Sequence, residues 1–366
     1  MFDQDPFGGC QQLFSRPDQP NRGPEFWTTA GDIASLGEFV RSFTTTYGRR
    51  HSPLFLAGED VGTGRVAGLA SYLIDHQTPV SGVVLLSMAP SADAVAGDTQ
   101  YLTLLPSVAL AAWHHKKLGP ELQALGIEQV AEQARQFASR EYLHALYKSD
   151  RMTPDEHTRV AANLSRLTGL STAFLVNNNL RIPLERVSPE LLRAERRALS
   201  NSDARVAGYV PASGGGGRGG FGGGMPNIAV DYSQAGMAGG FLTAYETYLR
   251  RDLAFASPAG VFYLSSGGVG AFTSTGSDEA SLASAFARNA RLRLFVGVNY
   301  FDLGAPFYAT EFTVAHLNVS SEVRAHNITV RHYAAGQMAY VDHDALPRLH
   351  ADLARFLNAA PAPARQ

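Results

Sequence analysis

The stretch SPLFLAGEDVGTGRVAGLASYL, residues 52–73, decides the fold prediction for this chain. Its apolar run Leu54–Ala57 leads into a glycine-flanked turn from Gly58 to Gly64, and helical periodicity then continues to Ile74. A strand that turns sharply into a helix is the setting in which α/β enzymes expose a nucleophilic side chain. At that position the chain carries Asp60, so the turn predicts an unusual site.

A helical segment precedes this turn, and further strand-like segments follow it. Thr28–Tyr47 has apolar residues at helical spacing, and Val80–Met88 is a β-branched run typical of a strand covered on both faces. Near the C-terminus, Leu292–Val298 and Ile328–Tyr333 also resemble strands, and a loop and a helix follow each of them. These patterns predict an α/β fold with a mostly parallel sheet flanked by helices.

The middle of the chain differs in character from both ends. Between residues 91 and 254 strand-like runs disappear and helical periodicities dominate, at Leu122–Ala138, Glu141–Tyr147 and Glu156–Leu167. We therefore predict a helical cap inserted into an α/β core. The predicted divisions are a first core part at 1–90, the cap at 91–254 and a second core part at 255–366.

A glycine-rich tract, PASGGGGRGGFGGGMP at residues 211–226, lies within the predicted cap. Such a tract loses much conformational entropy on ordering and cannot form a core. No strand precedes it and no Gly-Lys-Ser/Thr follows, which argues against a phosphate-binding loop. We predict a flap over a pocket.

Composition narrows the classes of partner. The 366 residues include 31 Lys+Arg and 33 Asp+Glu, so no strong net charge would attract nucleic acid or an anionic membrane. No apolar run is long enough to span a bilayer, and the first residues do not resemble a secretion signal. We predict a soluble, cytoplasmic protein with a small-molecule substrate. Cys10 is the single cysteine, and neither His114 nor His115 has a carboxylate at helical spacing, so we predict no metal and no cofactor.

Polar side chains follow three of the predicted strands. Glu59 and Asp60 come after the strand of the opening stretch, Asp302 lies in NYFDLGAPF, and Gln337 lies in YAAGQMAY. Ligands and catalytic groups of open α/β sheets gather at the carboxyl edge of the strands. The sequence therefore predicts one site formed by these four residues.

The sequence around these residues resembles the serine carboxypeptidase family of α/β-hydrolases, especially its bacterial branch. The resemblance covers nearly the whole chain outside the glycine tract and its neighbourhood. It is carried by EFWTTAGDIASLGEFVRSF (25–43), the opening stretch, LPSVALAAWHHKKL (105–118), LTGLSTAFLVNNNLRI (167–182), YFDLGAPFYATEFTVAHL (300–317) and HYAAGQMAY (332–340).

The resemblance implies where a catalytic triad would lie. The family's serine falls on Asp60, its aspartate on Asp302 and its histidine on Gln337. A glutamine amide cannot accept the nucleophile's proton as the family's histidine does, and Asp60 has no hydroxyl. We therefore expect no ordinary serine peptidase activity.

The front of the chain departs from the family as well. Residues 1–16, MFDQDPFGGCQQLFSR, are similar to a family strand and its Val-Gly-Thr-Gly-Phe-Ser loop. The family segment with Asn-Gly-Gly-Pro-Gly, which supplies part of the oxyanion hole, has no counterpart, and a central strand is missing with it. An earlier start codon, another element of this chain, or a second chain in an oligomer would each account for the gap.

Three roles for Asp60 remain open on the sequence. It is the cap of the following helix in a catalytically inactive pseudo-peptidase that binds a ligand or partner, or a nucleophile as in epoxide hydrolases and haloalkane dehalogenases. The third role is acid/base catalysis with Glu59, in which the helix terminus keeps Asp60 ionised, Asp302 orients Gln337 and the Val61 N–H serves as an oxyanion donor. We favour this third role, in a non-hydrolytic cyclase, dehydratase, lyase or isomerase of a small specialised metabolite.

Overall fold

The structure is a computed structural model that describes residues 28–210, 231–255 and 278–359. All strands below are those found within these ranges. Numbered in chain order, they are β1 (Phe55–Glu59), β2 (Gly82–Leu86), β3 (Arg197–Leu199), β4 (Ala207–Tyr209), β5 (Arg293–Asn299) and β6 (Ile328–Tyr333).

Helices make up most of the remaining described chain. Three start the core and its first crossover: α1 (Thr29–Thr46), α2 (Gly62–Asp75) and α3 (Ala92–Val95). The inserted region contributes α4 (Thr99–His114), α5 (Pro120–Gln123), α6 (Ile127–Phe137), α7 (Leu143–Lys148), α8 (Pro154–Thr168), α9 (Thr172–Asn177), α10 (Leu184–Glu190) and α11 (Tyr232–Thr247). The C-terminal part contributes α12 (Asp278–Arg288), α13 (Phe307–Ala315), α14 (Ser321–Asn327) and α15 (Ala345–Asn358).

A four-stranded parallel sheet forms the centre of the core. Its order is β1-β2-β5-β6, and every neighbouring pair is parallel. All seven residues of β5 are buried, which is typical of a strand covered on both faces. The predicted α/β class with a parallel sheet is confirmed.

Alternate residues of the strands serve two different hydrophobic cores. Val83 and Leu85 of β2 belong to the larger core, which includes α2 and the inserted helices. Val84 and Phe295 face the smaller core, which is closed by Phe356 of α15. This alternation follows from the two-residue period of a strand.

The predicted helix at 28–47 is present as α1, and the Thr28 hydroxyl caps it by accepting from the Gly31 N–H at 3.1 Å. Its packing differs from the pattern. Phe39 and Phe43 are among its apolar residues at helical spacing, yet they are 42% and 46% exposed. The helix instead approaches α2 through Gly37, where an added Cβ would lie 2.3 Å from the Tyr72 ring.

The inserted region between β2 and β5 is helical, as predicted, but two details of the prediction are wrong. Strand-like runs do not vanish there, because β3 and β4 form a two-stranded antiparallel hairpin. The single helix expected at Leu122–Ala138 divides into α5 and α6, because Gly126 starts a new helix whose N-terminus is capped by the Gln129 side chain. The predicted flap at 211–226 lies outside the described residues.

In the described part of the chain, no helix combines the length and apolar character needed to cross a bilayer.

Candidate functional site

Asp60 lies on a tight turn between β1 and α2. Its φ of 49° is in the left-handed region, which is uncommon for residues other than glycine. The turn is held by the Asp60 carbonyl, which accepts from the Thr63 N–H at 3.0 Å and the Thr63 hydroxyl at 2.6 Å. Gly58 is required here, because a Cβ would lie 2.4 Å from the Gly62 carbonyl oxygen. The turn therefore carries Asp60 at the carboxyl edge of the sheet.

Ser87 takes up a similar left-handed conformation directly after β2, with a φ of 43°. It is 2% exposed, and its hydroxyl donates to the Gln337 carbonyl at 2.9 Å. Asn299, the last residue of β5, donates from Nδ2 to the same carbonyl at 2.9 Å and to the Ser87 hydroxyl at 2.8 Å. These two buried side chains fix the loop that contains Gln337.

Sequence reasoning did not select Ser87 or Asn299. Each is a polar residue at the end of a nearly apolar strand, VVLLSM for Ser87 and LFVGVN for Asn299. That shared position was the available signal, since parallel strands bring such residues to one edge.

Asp302 is fully enclosed by protein. Only 2% of it is exposed, and its Oδ1 accepts from the backbone N–H groups of Gly304 and Ala305, each at 2.9 Å. Its Oδ2 is buried and makes no hydrogen bond with the described residues. Burial raises the pKa of Asp302 to about 7, and the charge of Asp60 contributes to the shift. Near neutrality this carboxyl therefore exchanges a proton.

The Gln337 side chain is directed to Asp60 and to the inserted region. It hydrogen bonds to the Asp60 carboxylate, and its Oε1 accepts from Gln234 Nε2 at 3.1 Å. The expected orientation of Gln337 by Asp302 is wrong. No hydrogen bond joins the two side chains: Asp302 Oδ1 accepts from Gly304 and Ala305, and the Gln337 side chain bonds to Asp60 and Gln234.

Glu59 is the last residue of β1 and directly precedes Asp60. Its Oε2 accepts from the Tyr340 hydroxyl at 2.9 Å, while its Oε1 is buried without a hydrogen bond to the described residues. Burial raises the pKa of Glu59, and the neighbouring charge of Asp60 adds to the shift. Tyr340, which sequence reasoning did not select, is thus a direct partner of a candidate acid.

The pKa of Asp60 differs from the expectation for a helix terminus. Burial raises it, although hydrogen bonds from the Gln337 side chain and from the Val61 N–H act in the opposite direction. Desolvation therefore outweighs the helix N-terminus. The Val61 N–H, predicted as an oxyanion donor, is engaged with the Asp60 carboxylate.

The loop between β3 and β4, residues 200–206, connects the inserted region to both site loops. Gly336 allows this close approach, because a Cβ there would lie 2.4 Å from the Asp203 Cβ. The loop therefore holds the Asp302 and Gln337 segments in a common frame. Its backbone hydrogen bonds are Ala204 N–H to Phe301 O at 2.8 Å, Leu303 N–H to Asn201 O at 2.8 Å and Gln337 N–H to Ser202 O at 2.7 Å.

Arg205 strengthens the same connection. Its guanidinium pairs with Asp203 at 2.7 Å and with Asp342 at 2.8 Å, and it donates to the Ala334 carbonyl at 2.9 Å. One side chain thus joins the inserted hairpin to the loop after β6.

His114 is the last residue of α4 and is exposed, whereas the next residue, His115, is half-buried. A ring nitrogen of His115 lies 2.7 Å from the Ala204 carbonyl, and the His114 ring packs against Phe301 with centroids 5.5 Å apart. Burial lowers the pKa of His114. Both histidines therefore contribute to the contact between the inserted region and the core.

The structure brings together the residues that the sequence selected. Electrostatic coupling links Asp60 to both Glu59 and Asp302, and hydrogen bonding links it to Gln337. Among the residues that the structure describes, no group of three or more His, Cys, Asp and Glu side chains is placed to hold a metal. The arrangement is a set of carboxyl groups with raised pKa values at the carboxyl edge of a parallel sheet.

Comparisons with known proteins give no family assignment. The sequence matches no protein-family model, and a search of curated proteins finds no match. The class defined by the observations is an α/β protein with a parallel sheet, an inserted helical region and a polar site at the strand ends.

Proposed function

We propose that this protein is a non-hydrolytic enzyme with an α/β-hydrolase fold, derived from a serine carboxypeptidase-like ancestor. The observation that carries the proposal is the placement of Asp60, with a raised pKa, on a tight strand-to-helix turn beside Gln337. Asp302 and Glu59 lie close enough to affect, or be affected by, the Asp60 charge. By the resemblance, Asp60, Asp302 and Gln337 fall at the positions where the serine carboxypeptidase family has its catalytic groups.

Asp60 is the principal acid/base in this proposal. A carboxylate whose pKa is raised accepts a proton from a substrate more readily than an exposed one does. Glu59 or Asp302, each with a raised pKa, then serves as the complementary acid. A proton moved between two such groups allows a bound small metabolite to cyclise, eliminate water or isomerise. The Gln337 amide positions Asp60 through its hydrogen bond.

Two alternatives have less support from the site. A nucleophilic Asp60 needs a base that activates water to break the resulting ester. No histidine is hydrogen bonded to Asp60, Asp302 or Gln337 within the described ranges. An inactive pseudo-peptidase does not need several enclosed carboxyl groups, since burying such groups costs free energy.

The role of Asp60 is tested by Asp60→Asn. The amide keeps the shape of the side chain but cannot exchange a proton, so we expect turnover to fall by at least about 100-fold. The purified protein is incubated with a small-metabolite extract of the cells that express it, and products are followed by mass spectrometry. Cyclisation or isomerisation leaves the mass unchanged, dehydration removes one water, and hydrolysis adds one.

The matched control for this test is Asp150→Asn, which neutralises an exposed aspartate in the inserted region. It should retain full turnover. Unchanged conversion by Asp60→Asn, or a product heavier by one water, would contradict the proposed chemistry.

We also propose that a second copy of this chain pairs with the edge of β1 that faces away from β2. Among the described residues, β1 pairs only with β2. The Leu54 carbonyl and the Asp60 N–H face β2, so Phe55, Ala57 and Glu59 direct their backbone groups to the opposite side. Such an edge readily accepts another strand.

Charge supports an antiparallel pairing of two copies. The exposed residues 49–51 (Arg-Arg-His) precede β1, and Glu59 and Asp60 end it. Two antiparallel copies bring the basic end of one strand beside the acidic end of the other.

Light scattering after size-exclusion chromatography tests this pairing, and a dimer is expected. Ala57→Pro removes an N–H that faces away from β2, so it should convert the dimer to a monomer without breaking the β1–β2 ladder. Ala57→Val is the control and should remain dimeric. A monomeric unchanged protein, or a dimer that survives Ala57→Pro, would refute the interface.

A further inference from the structure

A cavity lies at the opposite end of the sheet from Asp60. It has a volume of about 270 Å³ and lies between the first residues of β5, strand β6 and the C-terminal half of α15. Because Arg293 begins β5 and Asn299 ends it, the length of the strand separates this cavity from the candidate site. The charged residues that line it are Arg293, His326, Arg331, Asp352 and Arg355.

Arg293 is the most enclosed charged group of this cavity. It is 8% exposed, and its Nη1 donates to the Phe356 carbonyl at 2.6 Å. Its Nε is buried without a hydrogen bond to the described residues, and no acidic side chain of those residues forms an ion pair with it. The guanidinium lies over the rings of Phe356 and Phe55, with centroid distances of 4.9 and 5.7 Å.

Burying a cation without a counter-ion is unfavourable in free energy, because no nearby negative charge offsets the loss of hydration. Aromatic rings recover only a part of that cost. Since Arg293 also lines an open cavity, an anion that enters the cavity would supply the missing charge and accept the free N–H groups.

The other charged groups of the cavity favour an anion as well. Among the described residues, Asp352 is the one carboxylate in its lining, and it is already hydrogen bonded. It pairs with Arg355, lies 3.7 Å from Arg331 Nε and accepts from the Tyr333 hydroxyl at 3.0 Å. Three guanidinium groups therefore face one carboxylate, which leaves a positive excess before His326 is counted.

We propose that this cavity binds the phosphate group of a small molecule. Several guanidinium groups around one space suit a doubly charged oxyanion better than a single carboxylate, because each offers a planar pair of donors. The volume is just below the roughly 300–1,000 Å³ typical of small-molecule pockets, so the organic part of the ligand is short. The site is independent of the proposed catalysis.

Isothermal titration calorimetry of the full chain with inorganic phosphate and with glycerol 3-phosphate tests the proposal. We expect saturable binding at millimolar concentrations or below, with a slope against salt concentration that reflects ion pairing. Tighter binding of glycerol 3-phosphate identifies a phosphate ester as the ligand class, and equal binding identifies free phosphate. Both results support a phosphate site.

Two variants separate this site from unspecific attraction. Arg331→Gln, at a half-exposed position that leaves Arg355 to pair with Asp352, should weaken binding about tenfold. Arg293→Lys keeps the charge but loses the fork of donors, and should weaken binding by at least as much. Arg291→Gln, at an exposed position two residues before Arg293, is the control and should bind as the unchanged protein does.

The proposal is overturned if neither phosphate compound binds saturably, or if Arg291→Gln weakens binding as much as Arg331→Gln. Circular dichroism confirms that each variant is folded before titration. If Arg293→Lys does not fold, Arg331→Gln still decides the result, because its side chain is not part of the buried core.

Discussion

Replacing Asp60 by serine and Gln337 by histidine in the same chain should create esterase activity. We expect the double variant to hydrolyse an activated ester such as p-nitrophenyl acetate about 100-fold faster than the unchanged protein does. A complete serine triad contributes on the order of a million-fold, and each oxyanion donor that is out of position removes about 100- to 1,000-fold. The estimate of about 100-fold allows for further losses from imperfect alignment.

The geometry of the elbow supports this expectation. The Gln337 side chain already hydrogen bonds to the residue at the turn, so an imidazole there lies within reach of a serine hydroxyl. Asp302 has a buried Oδ2 without a hydrogen bond, which would accept the second imidazole N–H. Each replaced residue therefore finds a partner already in position.

The single variants Asp60→Ser and Gln337→His are the controls for this experiment. Neither should exceed the activity of the unchanged protein by more than about tenfold, because triad residues act as a unit. Adding Asp302→Asn to the double variant should abolish the gain. If the double variant hydrolyses the ester no faster than the two single variants do, the support for a serine carboxypeptidase-like ancestor is lost.

Asp302→Asn alone should stabilise the protein at neutral and alkaline pH. The pKa of Asp302 is about 7 in the folded protein and near the ordinary value of 3.8 when unfolded. As the pH rises between these values, the unfolded chain releases its proton while the folded chain keeps it, so ionisation favours unfolding. The free energy of unfolding therefore falls as the pH rises from about 4 to 7 and then levels off.

An asparagine avoids this loss because it never ionises, and its carbonyl oxygen can still accept from Gly304 and Ala305. We expect Asp302→Asn to raise the free energy of unfolding by roughly 4 kcal/mol at about pH 8, since the folded and unfolded pKa values differ by about 3, and by little at about pH 4. Urea unfolding across this pH range measures the difference between variant and unchanged protein. That difference isolates Asp302 from Glu59 and Asp60, whose pKa values are raised as well.

The exposed Asp150→Asn should show no comparable rise with pH. A flat difference for Asp302→Asn would mean that Asp302 is ionised in the folded protein well below neutral pH. The enclosed site would then hold three negative charges, and the proposed complementary acid would be lost.

The sequence was informative about elements that depend on local patterns. Ile328–Tyr333 coincides with β6, and Leu292–Val298 is displaced from β5 by one residue at each end. Both stretches are rich in apolar and β-branched residues, which favour strands. The turn at Asp60 was also predictable from the sequence. Glycine at position 58 allows the Gly62 carbonyl to lie closer than any side chain there would permit.

The sequence could not show how the inserted region meets the core. The loop at residues 200–206 has no strong motif, yet its backbone hydrogen bonds hold both site loops. Such bonds depend on backbone groups that every residue has, so composition does not reveal them. The partners of Asp302 and Gln337 were mispredicted for this reason.

The sequence by itself determined the α/β class, the strand-to-helix turn at Asp60 and the set of polar residues at the strand ends, because hydrophobic period and glycine placement act locally. Only the tertiary structure decided the protonation properties of that set. A pKa depends on how much water and which charges surround a group, and those surroundings are assembled from distant segments. The same holds for Arg293, whose lack of a counter-ion became visible only when β5, β6 and α15 enclosed it.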